Sequence, residues 1–162
     1  MQDTPPDSVP RWLAETLSGI DGAWITAASS ANATRRKGAY LLVLRLATPA
    51  EIDLRGTALT LAPGWYVYAG SARGGGGIGA RTARHLRKQK LIRWHIDTLT
   101  TRAAEMSALA VPEGAECDLV ARLLQSGQFE TPVRGFGSSD CRRCAAHLLK
   151  AVSPGRDIAA SV

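Results

Sequence analysis

The stretch from Gly64 to His85 constrains the fold most. It opens as Gly64-Trp65-Tyr66-Val67-Tyr68-Ala69-Gly70-Ser71-Ala72-Arg73, continues through four glycines, and resumes at Ile78 as a helix-like segment to His85. Aromatic and β-branched residues in such a run favour a strand, and the glycines end it. At about 100° per residue, Ile78, Thr82 and Leu86 form the inward stripe of the helix that follows. Arg81 and His85 fall one turn apart beside that stripe, while Arg84, Arg87 and Lys88 lie further out.

Around this stretch the chain reads as mixed α and β structure. Tyr40 to Leu46 is a nearly continuous apolar run, expected of a buried strand. Ile52–Leu54 and Ala58–Leu61 flank Arg55-Gly56-Thr57 as a hairpin, and Met106–Val111 reads as a further strand closed by Pro112. Ile92 to Leu99 forms a short element with two aromatic rings and a carboxylate. Ala115 to Leu124 reads as a helix whose apolar face includes Leu119, Val120, Leu123 and Leu124. Glu116 shares that face, either as a paired or cation-binding acid or as a first-turn acid favoured by the helix dipole. Phe136 to Cys141 reads as a loop ending in a helix cap, with a helix running on to about Val152. Residues 1–36 read as a peripheral arm. It holds a short helix capped by Asp7 or Ser8, with Pro10 in its first turn and Trp12, Leu13 and Leu17 on one side. Residues 153–162 read as a tail.

Charge is unevenly placed. The 162 residues carry a formal net charge of +6 with 45% hydrophobic content, in keeping with a folded basic domain. No acid stands between Asp53 and Asp97, yet Arg55, Arg73, Arg81, Arg84, Arg87, Lys88, Lys90 and Arg93 do. Such a cluster is either a solvated helix face or the electrostatic footprint of a phosphate backbone. No apolar run is long enough to span a bilayer and no signal-peptide layout opens the chain, so a cytoplasmic protein without a membrane partner is expected.

Several residues admit two readings. Tyr40 and Tyr68 suit either core aromatics or hydroxyls presented at a site. Gly74 to Gly79 suit a flexible connection or a phosphate cradle, although no Walker lysine follows. His95 and Asp97 suit structural hydrogen bonding or orientation of a water. Trp94 suits the core or a stacked base. Cys141, Cys144 and His147 have the spacing of metal ligands, with Cys117 as a fourth if the fold brings it near. The other reading is ordinary buried thiols.

Taken together, Gly38-Ala39-Tyr40, Tyr68-Ala69-Gly70, Arg81, His85 and Glu116 resemble the signature of the GIY-YIG nuclease superfamily. The Tyr66-to-Arg73 run with its glycines, the Trp94-His95-Ile96-Asp97 segment and the Phe136-to-Cys141 loop resemble one poorly characterised branch of it. The resemblance spans about Lys37 to Val152. It implies an α+β fold with a small three-stranded antiparallel sheet flanked by helices, and metal-dependent cleavage of a DNA phosphodiester. It further implies Glu116 as the ligand of Mg²⁺ or Mn²⁺, Arg81 as the donor to the scissile phosphate, and Tyr40, Tyr68 and His85 around the attacking water. Arg73, Arg84, Arg87, Lys88, Lys90 and Arg93 would meet the DNA backbone. Two alternatives compete with this reading. One is a non-catalytic nucleic-acid-binding module on the same fold, which would need the basic helix but not Glu116. The other is an interaction domain with incidental charge.

Overall fold

The computed structural model describes residues 3–139 and 141–154. Asp140, inside the loop expected to cap a helix, and the tail from residue 155 onward lie outside the described residues. The elements run in chain order α1 (Arg11–Leu17), β1 (Ala23–Ile25), β2 (Gly38–Leu46), β3 (Ala50–Leu54), β4 (Thr57–Leu61), β5 (Gly64–Ala72), α2 (Gly77–Leu86), α3 (His95–Thr100), β6 (Glu105–Pro112), α4 (Glu116–Gln125), β7 (Phe129–Glu130) and β8 (Leu148–Ala151).

The expected α+β class holds, but the sheet has six strands rather than three, in the order β1-β6-β2-β5-β8-β7, with β3 and β4 forming a separate hairpin. Every pairing is antiparallel. β2 sits centrally because both of its faces are apolar. Tyr40, Leu42, Leu44 and Leu46 join one core cluster, and Ala39, Leu41 and Val43 join the other. The first cluster is closed by Ile78 and Leu86 of α2 and by Ile96 and Leu99 of α3. The second is closed by Leu13 and Leu17 of α1 and by Leu119, Val120 and Leu123 of α4. A strand covered on both faces reads as a continuous apolar run, and that is why β2 shows no alternation.

Two segments depart from expectation. The stretch expected as a peripheral arm packs into the body from Val9 to Ile25, with Leu13 and Leu17 almost wholly buried and β1 paired to β6. Its helix starts after Pro10, which stands at the cap with no side-chain cap bond, so neither Asp7 nor Ser8 serves there. The helix expected up to Val152 is instead a loop followed by β8. Leu148, Leu149 and Lys150 pair with Tyr68, Val67 and Tyr66 of β5. Leu148 enters one cluster and Leu149 the other, so burial on both sides of the sheet overrides the helical propensity of this Ala- and Leu-rich segment. No helix among the described residues is long and apolar enough to cross a membrane.

Candidate functional site

Antiparallel register fixes the first pair of site residues. Tyr40 pairs with Gly70, which makes Tyr68 its diagonal neighbour on the same face of the sheet. The glycine is a spatial requirement: a Cβ on Gly70 would lie 2.2 Å from Cζ of Tyr40, so the phenol ring lies over the bare Gly70 backbone. α2 then brings its own residues to this face. Its amino end is pressed against the chain before β2, where Ile78 N–H donates to Arg36 O and Gly79 N–H donates to Thr34 O. A Cβ on Gly77 would meet Arg35 O at 2.0 Å, and one on Gly79 would meet Thr34 O at 2.7 Å. Gly77 and Gly79 therefore permit close packing, and the N–H groups of Ile78 and Gly79 are spent on it rather than on a phosphate. Of the glycines between Gly74 and Gly79, Gly74 and Gly75 alone stand in open space.

Docked this way, α2 places His85 in the core with 1% of its surface exposed. Tyr40 Oη and His85 Nε2 are 2.8 Å apart. The other ring nitrogen, Nδ1, is buried without a hydrogen-bond partner and lies 3.8 Å from Asp97 Oδ1. A proton on Nδ1 faces that carboxylate favourably, whereas a lone pair there would be repelled. The neutral ring therefore carries its proton on Nδ1, and Tyr40 O–H donates to Nε2. Burial, followed by the charges of nearby Lys90, Arg84 and Arg81, pulls the His85 pKa down to about 3 and keeps the imidazole neutral. Burial also pushes the Tyr40 phenol well above its ordinary range, aided by Tyr68.

Asp97 anchors the floor of the site. It is fully buried and receives both terminal nitrogens of Arg84, each at 2.8 Å, in a fork-to-fork pair. Arg93 N–H and Trp94 N–H donate to its Oδ2 and close the start of α3. Burial opposes its charge, but Arg84 and the two backbone donors hold the pKa down at about 2. Trp94 lies beneath two cations, its ring centre 4.8 Å from the Arg81 guanidinium carbon and 4.2 Å from that of Arg84. Trp94 thus steadies Arg81 without neutralising it.

Tyr40, Tyr68, Arg81 and His85 line one small cavity of about 100 Å³ with Ser71, Trp94 and Ile96. Glu116, half-buried at the first residue of α4, lines an adjoining cavity of about 390 Å³ with Tyr68 and Ser71. Tyr68 is the partition between them. Burial raises its pKa, Arg81 opposes the rise and Glu116 adds to it, so the hydroxyl lies within the field of both charges. The five residues expected at a site therefore border two cavities whose walls share Tyr68 and Ser71.

The six residues expected to meet DNA backbone divide. Arg84 is committed to Asp97, Lys88 donates to Ala103 O, and Lys90 donates to His85 O at 2.5 Å. These three are engaged within the fold, where Lys90 and Lys88 satisfy carbonyls that would otherwise lack donors. Arg73, Arg87 and Arg93 are exposed. Sequence reasoning left Asp97 with a structural or water-orienting role and Trp94 with a core or stacking one, and missed Ser71 altogether. One signal did mark Asp97: it is the first acid after eight cations, although nothing in the sequence says which of them pairs with it.

A second constellation adjoins Glu116, whose cavity Cys141 and His147 also line. Cys117, Cys141, Cys144 and His147 offer four ligand atoms that all lie within 4.8 Å of one another. The fold supplies the fourth member that local spacing lacked, because α4 starts opposite the loop from Phe136 to His147.

No curated protein and no solved structure matches the chain. One family model does, over residues 39–161, from the start of the central strand through the cysteine-bearing loop and beyond. By that match the chain belongs to the family described as Domain of unknown function DUF123.

Proposed function

We propose that this protein hydrolyses DNA phosphodiesters in the cytoplasm with the aid of a divalent cation, in the manner of the GIY-YIG nucleases it resembles. The observation that carries the reading is the convergence of Tyr40, Tyr68, Arg81 and His85 from β2, β5 and α2 on one cavity, with Tyr40 and His85 joined at 2.8 Å. The Tyr40–His85 hydrogen bond satisfies two buried polar groups, and its position beside Arg81 in a lined cavity is what favours chemistry over packing alone.

The donors beside Glu116 suit a hard cation. Glu116, Ser71 and Tyr68 line one cavity, which Cys141, His147, Arg142 and Arg143 border as well. A single carboxylate with few other protein oxygens fits Mg²⁺ or Mn²⁺, which keep much of their water. When bound, such a cation supplies charge stabilisation at the leaving oxygen.

The chain's own residues account for the remaining steps. Arg81, held over the Trp94 ring, presents its guanidinium fork to the scissile phosphate. The attacking water gives its proton to Tyr40 Oη as the Tyr40 proton passes to His85 Nε2, so no free phenolate forms in the buried site. The incoming phosphate charge offsets Arg81, and Asp97 faces Nδ1, so both favour the imidazolium at the moment it is needed. Tyr68 orients the water or a phosphate oxygen from the opposite wall. Exposed Arg73, Arg87 and Arg93 supply affinity for the strand.

The test is Mg²⁺-dependent nicking of plasmid DNA by the parent and by Arg81→Ala. Nicking by the parent that Arg81→Ala loses by 10²-fold or more, on the order expected for one transition-state donor, supports the reading. A parent that binds DNA and never cuts it would make the domain a non-catalytic binding module.

A further inference from the structure

We propose that Cys117, Cys141, Cys144 and His147 form a structural Zn²⁺ site that fastens the first turn of α4 to the loop between β7 and β8. This inference is independent of the nuclease reading. Cys117 Sγ lies 3.4 Å from Cys141 Sγ and 3.9 Å from His147 Nε2, and all four ligand atoms fall within 4.8 Å. A tetrahedron with metal–sulfur bonds of about 2.3 Å has edges of roughly 3.8 Å, so the four atoms need only small shifts to enclose one ion. Three thiols and one imidazole are a soft donor set, and four protein ligands leave no open position, which marks a structural rather than a catalytic zinc.

The surroundings favour the same ion. Arg143 N–H points to Cys141 Sγ at 3.4 Å, a backbone donor of the kind that stabilises a ligating thiolate. Arg142 borders the neighbouring cavity, as does Arg143, which pairs with Asp118 at 3.0 Å, and three thiolates around Zn²⁺ would leave one net negative charge for this basic edge to balance. His147 is fixed from both sides: its N–H donates to Phe136 O, and its C=O accepts from Ala69 N–H of β5. The protein also has a use for a clamp here. The chain from Thr131 to His147 holds no helix or strand among its described residues, an unusual length for an unsupported connection. Because Cys117 follows Glu116 directly, the ion would also set where that carboxylate stands in the cleft.

Zinc binding replaces three thiol protons with one metal ion, so it is read without any activity assay. The full chain, prepared without chelator, is expected to carry one zinc per chain by elemental analysis. Exchange with Co²⁺ should give the intense visible bands of a tetrahedral thiolate site. Cys144→Ser, which keeps the residue's size, should weaken zinc binding by more than the ~10–100-fold that changes outside the ligand shell cost. These readouts on the parent decide the matter even if the variant fails to fold. A metal-free folded parent whose three thiols all react, or one with a Cys117–Cys141 disulfide, would overturn the proposal.

Discussion

Tyr40 Oη and His85 Nε2 lie 2.8 Å apart in the core, with the unpartnered Nδ1 of His85 turned toward Asp97. This arrangement makes folding sensitive to acid. His85 is held neutral down to about pH 3, whereas in the unfolded chain it takes up a proton near its ordinary value of 6.5. Below pH 6.5 the unfolded state therefore binds more protons, and stability falls as pH falls through the window from 6.5 to about 3. The slope for one such group is about 1.4 kcal/mol per pH unit, so roughly 2 kcal/mol is lost between pH 6.5 and 5. Denaturant unfolding followed against pH should show this slope in the parent and lose it in His85→Phe. Equal slopes in the two proteins would mean that His85 is not the group responsible.

Asp97 should be the most costly acid to remove. It has no exposed surface and carries a forked Arg84 pair plus two backbone donors. Asp97→Ala leaves the Arg84 guanidinium without its partner in a half-dry setting, at a cost of about 3–5 kcal/mol. Thermal unfolding checks this, and a loss below ~1 kcal/mol would show that water replaces the carboxylate freely.

Gly70→Ala tests the signature glycine by size alone. The added methyl would meet the Tyr40 ring at 2.2 Å, which forces the phenol away from His85 or parts β2 from β5. An overpacking cost of about 1–3 kcal/mol is expected, with cleavage falling further than stability does. Parallel melting and cleavage assays separate the two, and unchanged cleavage would remove Tyr40 from the proton path.

The basic surface should split along the lines drawn by the fold. Substituting Arg73, Arg87 and Arg93 with Ala should each reduce the salt dependence of DNA binding by about one counterion, with little effect on melting. Arg84→Ala should chiefly lower stability, since that side chain serves Asp97. Binding isotherms at several salt concentrations distinguish the two groups.

What could be read from sequence follows from how local each cause is. Strand β2, the β3–β4 hairpin, the inward stripe of α2 and the start of α4 all follow from short-range pattern, and each stands where that pattern puts it. The grouping of Tyr40, Tyr68, Arg81 and His85 came from the family resemblance; short-range pattern gave only the one-turn spacing of Arg81 and His85, and the register that brings Tyr40 beside Tyr68 belongs to the folded sheet. β8 was not legible. Its residues favour a helix, and only the open edge of β5 makes them a strand. The commitment of Arg84 to Asp97 was hidden for a similar reason, since helical angle places Arg84 outward but says nothing of α3 folding back beneath it. Cys117 joined Cys141, Cys144 and His147 only through the packing of α4, 24 residues before the nearest of them.

Nuclease activity of the Glu116 cleft is best measured by cleavage of labelled branched, nicked, single-stranded and duplex DNAs in Mg²⁺ or Mn²⁺, with the parent and Glu116→Gln side by side. Metal-dependent cutting of at least one of these DNAs by the parent is expected, lost in Glu116→Gln while binding to the same DNA is retained. Equal cutting by both proteins, or binding without cutting by both, would contradict it.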